Sequence, residues 1–167
     1  SFAGWLSQRY GRKPTLVFAA VLFLLSAIGS AWPELFVGLP GSGDHTFMYM
    51  FVAYRILGGI GVGLASMVSP MYIAEIAPAE RRGNLVSWNQ FAIIFGMLVV
   101  YFVNYFIALQ GNIDWLHSIG WRWMFASETI PALLFLVLLF FVPESPRFLV
   151  MKGKASEANV ILEKLMG

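Results

Sequence analysis

The chain of 167 residues has no cysteine, two histidines and only 12% charged residues. Without cysteine there is no disulfide scaffold, no thiol nucleophile and no thiolate metal site. Soluble domains carry about 25% charged residues, so water is not the main solvent of this chain. Eleven Lys and Arg against nine Asp and Glu give a net charge of +2. The basic residues are too few and too scattered to track a phosphate backbone, which argues against nucleic acid as a partner. What abounds instead is apolar: 59% of residues are hydrophobic and 16% aromatic, and the mean hydropathy is +0.73. One small core cannot enclose that much apolar surface, and a lipid bilayer is its natural partner.

Charges cut the chain into lengths suited to crossing about 30 Å of hydrocarbon, which takes roughly 20 apolar residues. Starting at Ser1 with no Met or basic leader, it reads as a fragment that begins inside an element. Helices are expected at about 1–8, 15–32, 49–74, 84–110 and 122–142, the first of them truncated. The runs 39–45 and 111–120 read as polar loops. After Pro143 the composition turns mixed, and residues 143–167 are expected to form a linker and a short amphipathic helix. If the spans alternate, Arg9, Arg12, Lys13, Arg81, Arg82, Arg147, Lys152, Lys154 and Lys164 share one face. That face should be cytoplasmic, with Arg122, His45 and His117 on the other.

A few residues are costly enough to carry information. Arg55 lies inside a span, where a charge costs at least about 2.5–3.5 kcal/mol. It either snorkels to the surface or pairs with an acid, for which Glu128 is the intramembrane candidate. Such a pair could exchange protons as a coupling device. Gly59 and Gly63 form a small-xxx-small pair that suits close helix packing. Gln90, Ile94, Met97, Tyr101 and Asn104 are spaced 4, 3, 4 and 3, on one helical face. Their amides and phenol suit a ligand rich in hydroxyl groups, although Gln and Asn also hydrogen-bond between membrane helices. Charged turns at Arg9–Lys13, Glu75–Arg82 and Glu144–Arg147 read as solvated loop charge or as a breakable ionic gate. Ser66 and Ser69 lie at membrane depth, but neither histidine does, and no catalytic or metal-ligating constellation is present.

Taken together, GWLSQRYGRK, the run Arg55-Ile-Leu-Gly-Gly-Ile-Gly-Val-Gly, Pro70-Met-Tyr-Ile-Ala-Glu75, Arg81-Arg82-Gly83 and Pro143-Glu-Ser-Pro-Arg147 resemble the sugar porter family of the major facilitator superfamily. The resemblance covers nearly the whole chain. It implies an all-α membrane protein of the major facilitator fold, here from the end of helix two through helix six plus the first intracellular helix. Residues 1–142 would belong to the N-terminal six-helix half of a twelve-helix carrier, which would lack here helices one and two and the C-terminal half.

The implied activity is transport of a pentose or hexose across the inner or plasma membrane by alternating access, coupled to protons, with no cofactor. The alternatives are a facilitative sugar uniporter, a carrier of another small solute, or a sugar sensor. By motif position Gln90 would hydrogen-bond the sugar, with Met97, Tyr101 and Asn104 beside it. Arg55 would interact with a helix-one aspartate that takes the proton. Arg12, Glu75, Arg82 and Glu144, with Arg147, would form the cytoplasmic gate. Two positions depart from the family pattern: Gln8 replaces the usual aspartate of the helix two to three turn, and Met97 stands where a pentose symporter has a second glutamine, as in facilitative glucose carriers.

Overall fold

The computed structural model describes residues 2–36 and 46–166. The expected loop at 39–45, with His45, lies outside them. In chain order the helices are α1 (Phe2–Tyr10), α2 (Arg12–Ala31), α3 (Thr46–Ile76), α4 (Arg82–Ala108), α5 (Ile113–Trp115), α6 (Trp121–Ser127), α7 (Thr129–Phe141), α8 (Pro146–Met151) and α9 (Ala155–Met166). A 3-10 turn, Pro33–Phe36, follows α2, and a π turn, Leu116–Gly120, joins α5 to α6. Arg12–Ala31, Phe47–Ile76, Arg82–Ala108 and Ile113–Phe141 are long and apolar enough to cross a bilayer.

The expected polar loop at 111–120 is helical from Ile113 onward. Ile113, Trp115, Leu116 and Ile119 supply apolar surface among its polar residues. Two glycines make room for the Trp115 ring: a Cβ at Gly111 would stand 2.6 Å from it and one at Gly120 2.9 Å. The fourth span therefore starts well before the expected residue 122. It is interrupted at Glu128, between α6 and α7. Pro131 has no N–H for the Ser127 carbonyl and its ring crowds that carbonyl, which accounts for the break.

At the centre of the assembly is α2, with more than half of its residues buried. Its small residues Ala19, Ala20, Ala27 and Gly29 let neighbouring backbones approach, as membrane helices require when lipid offers no hydrophobic drive. Leu16 and Ala20 of α2 pack with Val68 and Tyr72 of α3 and Leu139 of α7. Ala19 and Leu22 pack with Leu64 of α3. The close approach of α3 to α2 is made at Gly58 and Gly61, while Gly59 and Gly63, the expected packing pair, do not face α2. A Cβ at Gly58 would stand 2.4 Å from Ser26 Oγ and one at Gly61 3.1 Å from the Ala19 carbonyl, whereas Gly59 and Gly63 have open space beside them. The Gly-Gly-x-Gly-x-Gly run permits either helical phase, and the small residues of α2 select the one used. Large apolar side chains cover the outside, and α4 has no buried residue.

The tightest of these contacts is testable. A Cβ at Gly29 would stand 2.3 Å from the Tyr54 ring. Gly29→Ala in the full-length protein should therefore lose about 1–3 kcal/mol to overpacking, read as a lower thermal midpoint in detergent. Tyr54→Leu added to Gly29→Ala should recover part of it; an unchanged midpoint for Gly29→Ala would show that α2 and α3 are not held at this contact.

Candidate functional site

Charge gathers at the end of the bundle where α1 meets α2 and α3 meets α8. Gly11, at φ 109°, allows the tight reversal between α1 and α2. Arg12 follows it and is buried, its Nε and Nη2 donating to the two Glu75 oxygens at 2.9 and 2.8 Å while Nη1 donates to the Ser7 carbonyl at 3.1 Å. The guanidinium thus satisfies a carbonyl at the C-terminus of α1 and the carboxylate that ends α3. Its face also lies over the Phe148 ring, 5.4 Å from the centroid.

Glu144 is anchored differently. Its carboxylate accepts from the backbone N–H of Arg12 at 3.1 Å, of Lys13 at 3.2 Å and of Ser145 at 2.8 Å. It therefore caps α2, whose own N-cap is a glycine with no side chain to offer. This cap accounts for α2 starting at Arg12 rather than the expected residue 15. Ser145 is fully buried: it donates to Glu75 Oε2 and accepts the Phe148 N–H as N-cap of α8. Arg82 and Arg147 are exposed and line a groove of about 400 Å³ with Gln8, Arg12 and Glu75. So Arg12, Glu75 and Glu144 of the expected gate come together, while Arg82 and Arg147 flank them without an ion pair among the described residues.

Midway along the bundle, Arg55 of α3 meets Glu128 at the α6–α7 break, Nη1 to Oε2, at 3.6 Å. The pair ends a ladder of aromatic contacts in which Phe47 and Phe51 of α3 pack edge-on to Trp121, and Phe51 to Phe125. Arg55 lies over the Phe125 ring, 5.2 Å from the centroid. Both charged side chains stay 47% and 39% exposed, on the wall of a cavity of about 470 Å³ that is otherwise mostly apolar. Gly59 lines this cavity too. The α4 stripe does not: Gln90, Met97 and Tyr101 are exposed on a separate face, and Asn104 Oδ1 is buried with no hydrogen-bond partner among the described residues. Ser69 Oγ donates to Asn89 Oδ1 at 3.3 Å, tying α3 to α4.

The family model described as Sugar (and other) transporter matches residues 1–167. The chain belongs to this sugar transporter family. It is 59% identical over 173 residues to the D-xylose-proton symporter of Escherichia coli K12, covering 100% of this chain and 35% of that protein. It is 40% identical to the glucose facilitated diffusion protein of Zymomonas mobilis, covering 98% of this chain and 34% of the relative. The partially occluded inward open structure of the xylose transporter XylE from E. coli superposes with a TM-score of 0.93 at 59% identity, over 99% of this chain and 39% of that one. The fold is that of the major facilitator superfamily, and the chain spans about a third of the length of the curated relatives it matches. These relatives are transporters, not enzymes.

One ion pair of this sugar transporter chain was not evident in the spacing of its residues. At the end opposite the basic cluster, Arg122 of α6 donates to Glu34 of the 3-10 turn through Nη1 at 3.0 Å and Nη2 at 2.6 Å. The signal was there only as two isolated charges of opposite sign, 88 residues apart. The Arg122 hydrogen bonds hold the Glu34 carboxyl below its ordinary value of 4.5. Because the folded pKa is depressed, the clamp's contribution is complete above the unfolded pKa and is lost as pH falls through the folded one. Thermal stability of the full-length protein should therefore fall below about pH 4.5, and Glu34→Gln should flatten that part of the profile; identical acid limbs for the two proteins would show that Glu34 is not the group titrating.

Proposed function

We propose that residues 1–142 form most of the N-terminal six-helix half of a monosaccharide transporter and residues 143–167 a cytoplasmic linker with an amphipathic helix. A pentose or hexose would bind near the bilayer midplane against the second half and cross by alternating access, together with a proton. The observation that carries the coupling is the Arg55–Glu128 pair. It makes a single contact at 3.6 Å, open to the cavity, at a broken helix. A proton on Glu128 cancels the attraction, leaving Arg55 an unpaired charge at membrane depth that must find another partner. Protonation thereby changes which arrangement of helices is stable.

Gln90 would donate to and accept from sugar hydroxyls, with Tyr101, Met97 and Asn104 along the same face of α4. Arg12, Glu75 and Glu144, with Arg82 and Arg147, would close the cytoplasmic side, the basic end lying inside the cell. The relative named as a D-xylose-proton symporter supports this reading. Facilitated uniport is the second reading, favoured by the apolar Met97 and by the Zymomonas relative named for facilitated diffusion. The absence of any charge between Gln90 and Asn104 argues against an ionic substrate.

Full-length protein in proteoliposomes should accumulate radiolabelled D-xylose or D-glucose under an inward proton gradient, and a protonophore should abolish the accumulation. Glu128→Gln should keep sugar exchange while losing accumulation. Gln90→Ala should raise KM about tenfold, the loss of one or two hydrogen bonds. Uptake that ignores both gradient and protonophore, with Glu128→Gln unaffected, would identify the uniporter. A cysteine at Arg147 should react with an impermeant maleimide from the cytoplasmic side; labelling from outside would invert the topology.

A further inference from the structure

A serine inside a helix ordinarily returns its hydroxyl to the carbonyl one turn back. Ser69 of α3, at membrane depth, instead donates across to Asn89 Oδ1 of α4 at 3.3 Å, and Asn89 is the residue before Gln90. Successive residues of a helix point about 100° apart. With Asn89 turned to α3, Gln90 is therefore turned onto the face that carries Met97, Tyr101 and Asn104. Little else in the chain fixes that rotation. Among the described residues α4 makes no ion pair, and its ring contacts are its own: Trp88 with Phe91, Phe91 with Phe95, and Tyr105 with Phe106. Gly96 stands one heptad beyond Asn89, on the same side, with open space beside it, so no close glycine contact interlocks α4 with a neighbour there. An apolar helix among lipid tails gains nothing from one rotation over another.

We propose that Ser69 is a positioning residue for substrate recognition: its hydrogen bond to Asn89 sets the rotation of α4 and so aims the Gln90 amide at the sugar. This rests on the reading of Gln90 as a sugar contact. A turn of about 20° carries a side-chain tip about 6 Å from the helix axis through about 2 Å, more than a hydrogen bond tolerates. In that reading α3 and α4 belong to the same six-helix half, so the bond bears on affinity rather than on which side of the membrane is open.

Ser69→Ala in the full-length protein in proteoliposomes should raise KM for D-xylose or D-glucose about three- to fivefold, the range for one hydrogen bond between membrane helices, with the maximal exchange rate unaltered. Ser69→Thr keeps a hydroxyl and should leave KM near the wild-type value. With Gln90→Ala already present the increment should fall below about twofold, since the amide being aimed is gone. An unchanged KM in Ser69→Ala, or the full increment without Gln90, would show that Ser69 only packs α3. Spin labels at exposed Leu98 of α4 and Phe18 of α2 read the rotation directly. Ser69→Ala should shift or broaden their separation by about 2 Å, and an unchanged separation would overturn the positioning role. The labels need no transport, so a KM that ignores Gln90→Ala would refute the sugar contact separately.

Discussion

The buried pair of Arg12 and Glu75 is the contact on which the basic end of this bundle depends. Their side chains are 6% and 5% exposed, and the bidentate geometry at 2.8 and 2.9 Å fills both carboxylate oxygens. A pair so desolvated adds little net stability, yet removing one partner costs about 3–5 kcal/mol because the other charge is left stranded. Its value is therefore positional. Arg12 can reach Glu75 only if the chain reverses within one residue after α1, which the positive φ of Gly11 allows. A Cβ at Gly11 would stand 2.4 Å from Glu144 Oε2, so the same glycine also admits the carboxylate that caps α2. The ends of α1, α2 and α3 and the start of α8 are fixed by one set of mutually dependent contacts.

Three of the four ion pairs among the described residues lie along the bundle, and they differ in how tightly they hold. Those at the two ends are bidentate and well shielded, with side-chain exposures of 6% and 5% for Arg12–Glu75 and 22% and 17% for Arg122–Glu34. Between them Arg55 and Glu128 make one contact at 3.6 Å and are about half exposed. A pair that keeps access to water loses less on separation than a dry one. It also sits where Pro131 has broken the helix, so α6 and α7 can change their relation with few backbone hydrogen bonds lost. The chain is clamped at both ends and held most loosely in the middle.

What the residues alone revealed follows the bilayer's demands. Long uncharged runs define the spans, and the costly Arg55 advertises its need for Glu128. Less legible were features that depend on which faces of two helices meet. The Gly-Gly-x-Gly-x-Gly run of α3 fits Gly59 with Gly63 as well as Gly58 with Gly61, and only Ser26 and Ala19 across the interface choose the second. Glu144 stood out in the sequence only as one charge of an expected gate, and its place as a helix cap depends on backbone N–H groups, which no side-chain pattern records. The stretch 111–120 has the composition of a loop. Its continuation as helix depends on Trp115 settling over two glycines, a packing event rather than a local propensity.

The stripe expected to face a sugar lies on α4, a helix with no buried residue in this chain. None of α4 is buried, and lipid tails welcome its apolar side chains as readily as protein does, so hydrophobicity cannot set its rotation. Polar contacts must do so. The Ser69–Asn89 hydrogen bond fixes the end near the basic cluster. Toward the other end stands Asn104, whose Oδ1 is buried with no partner among the described residues. An unsatisfied buried acceptor costs about 1–3 kcal/mol, and any donor that reaches it recovers that energy.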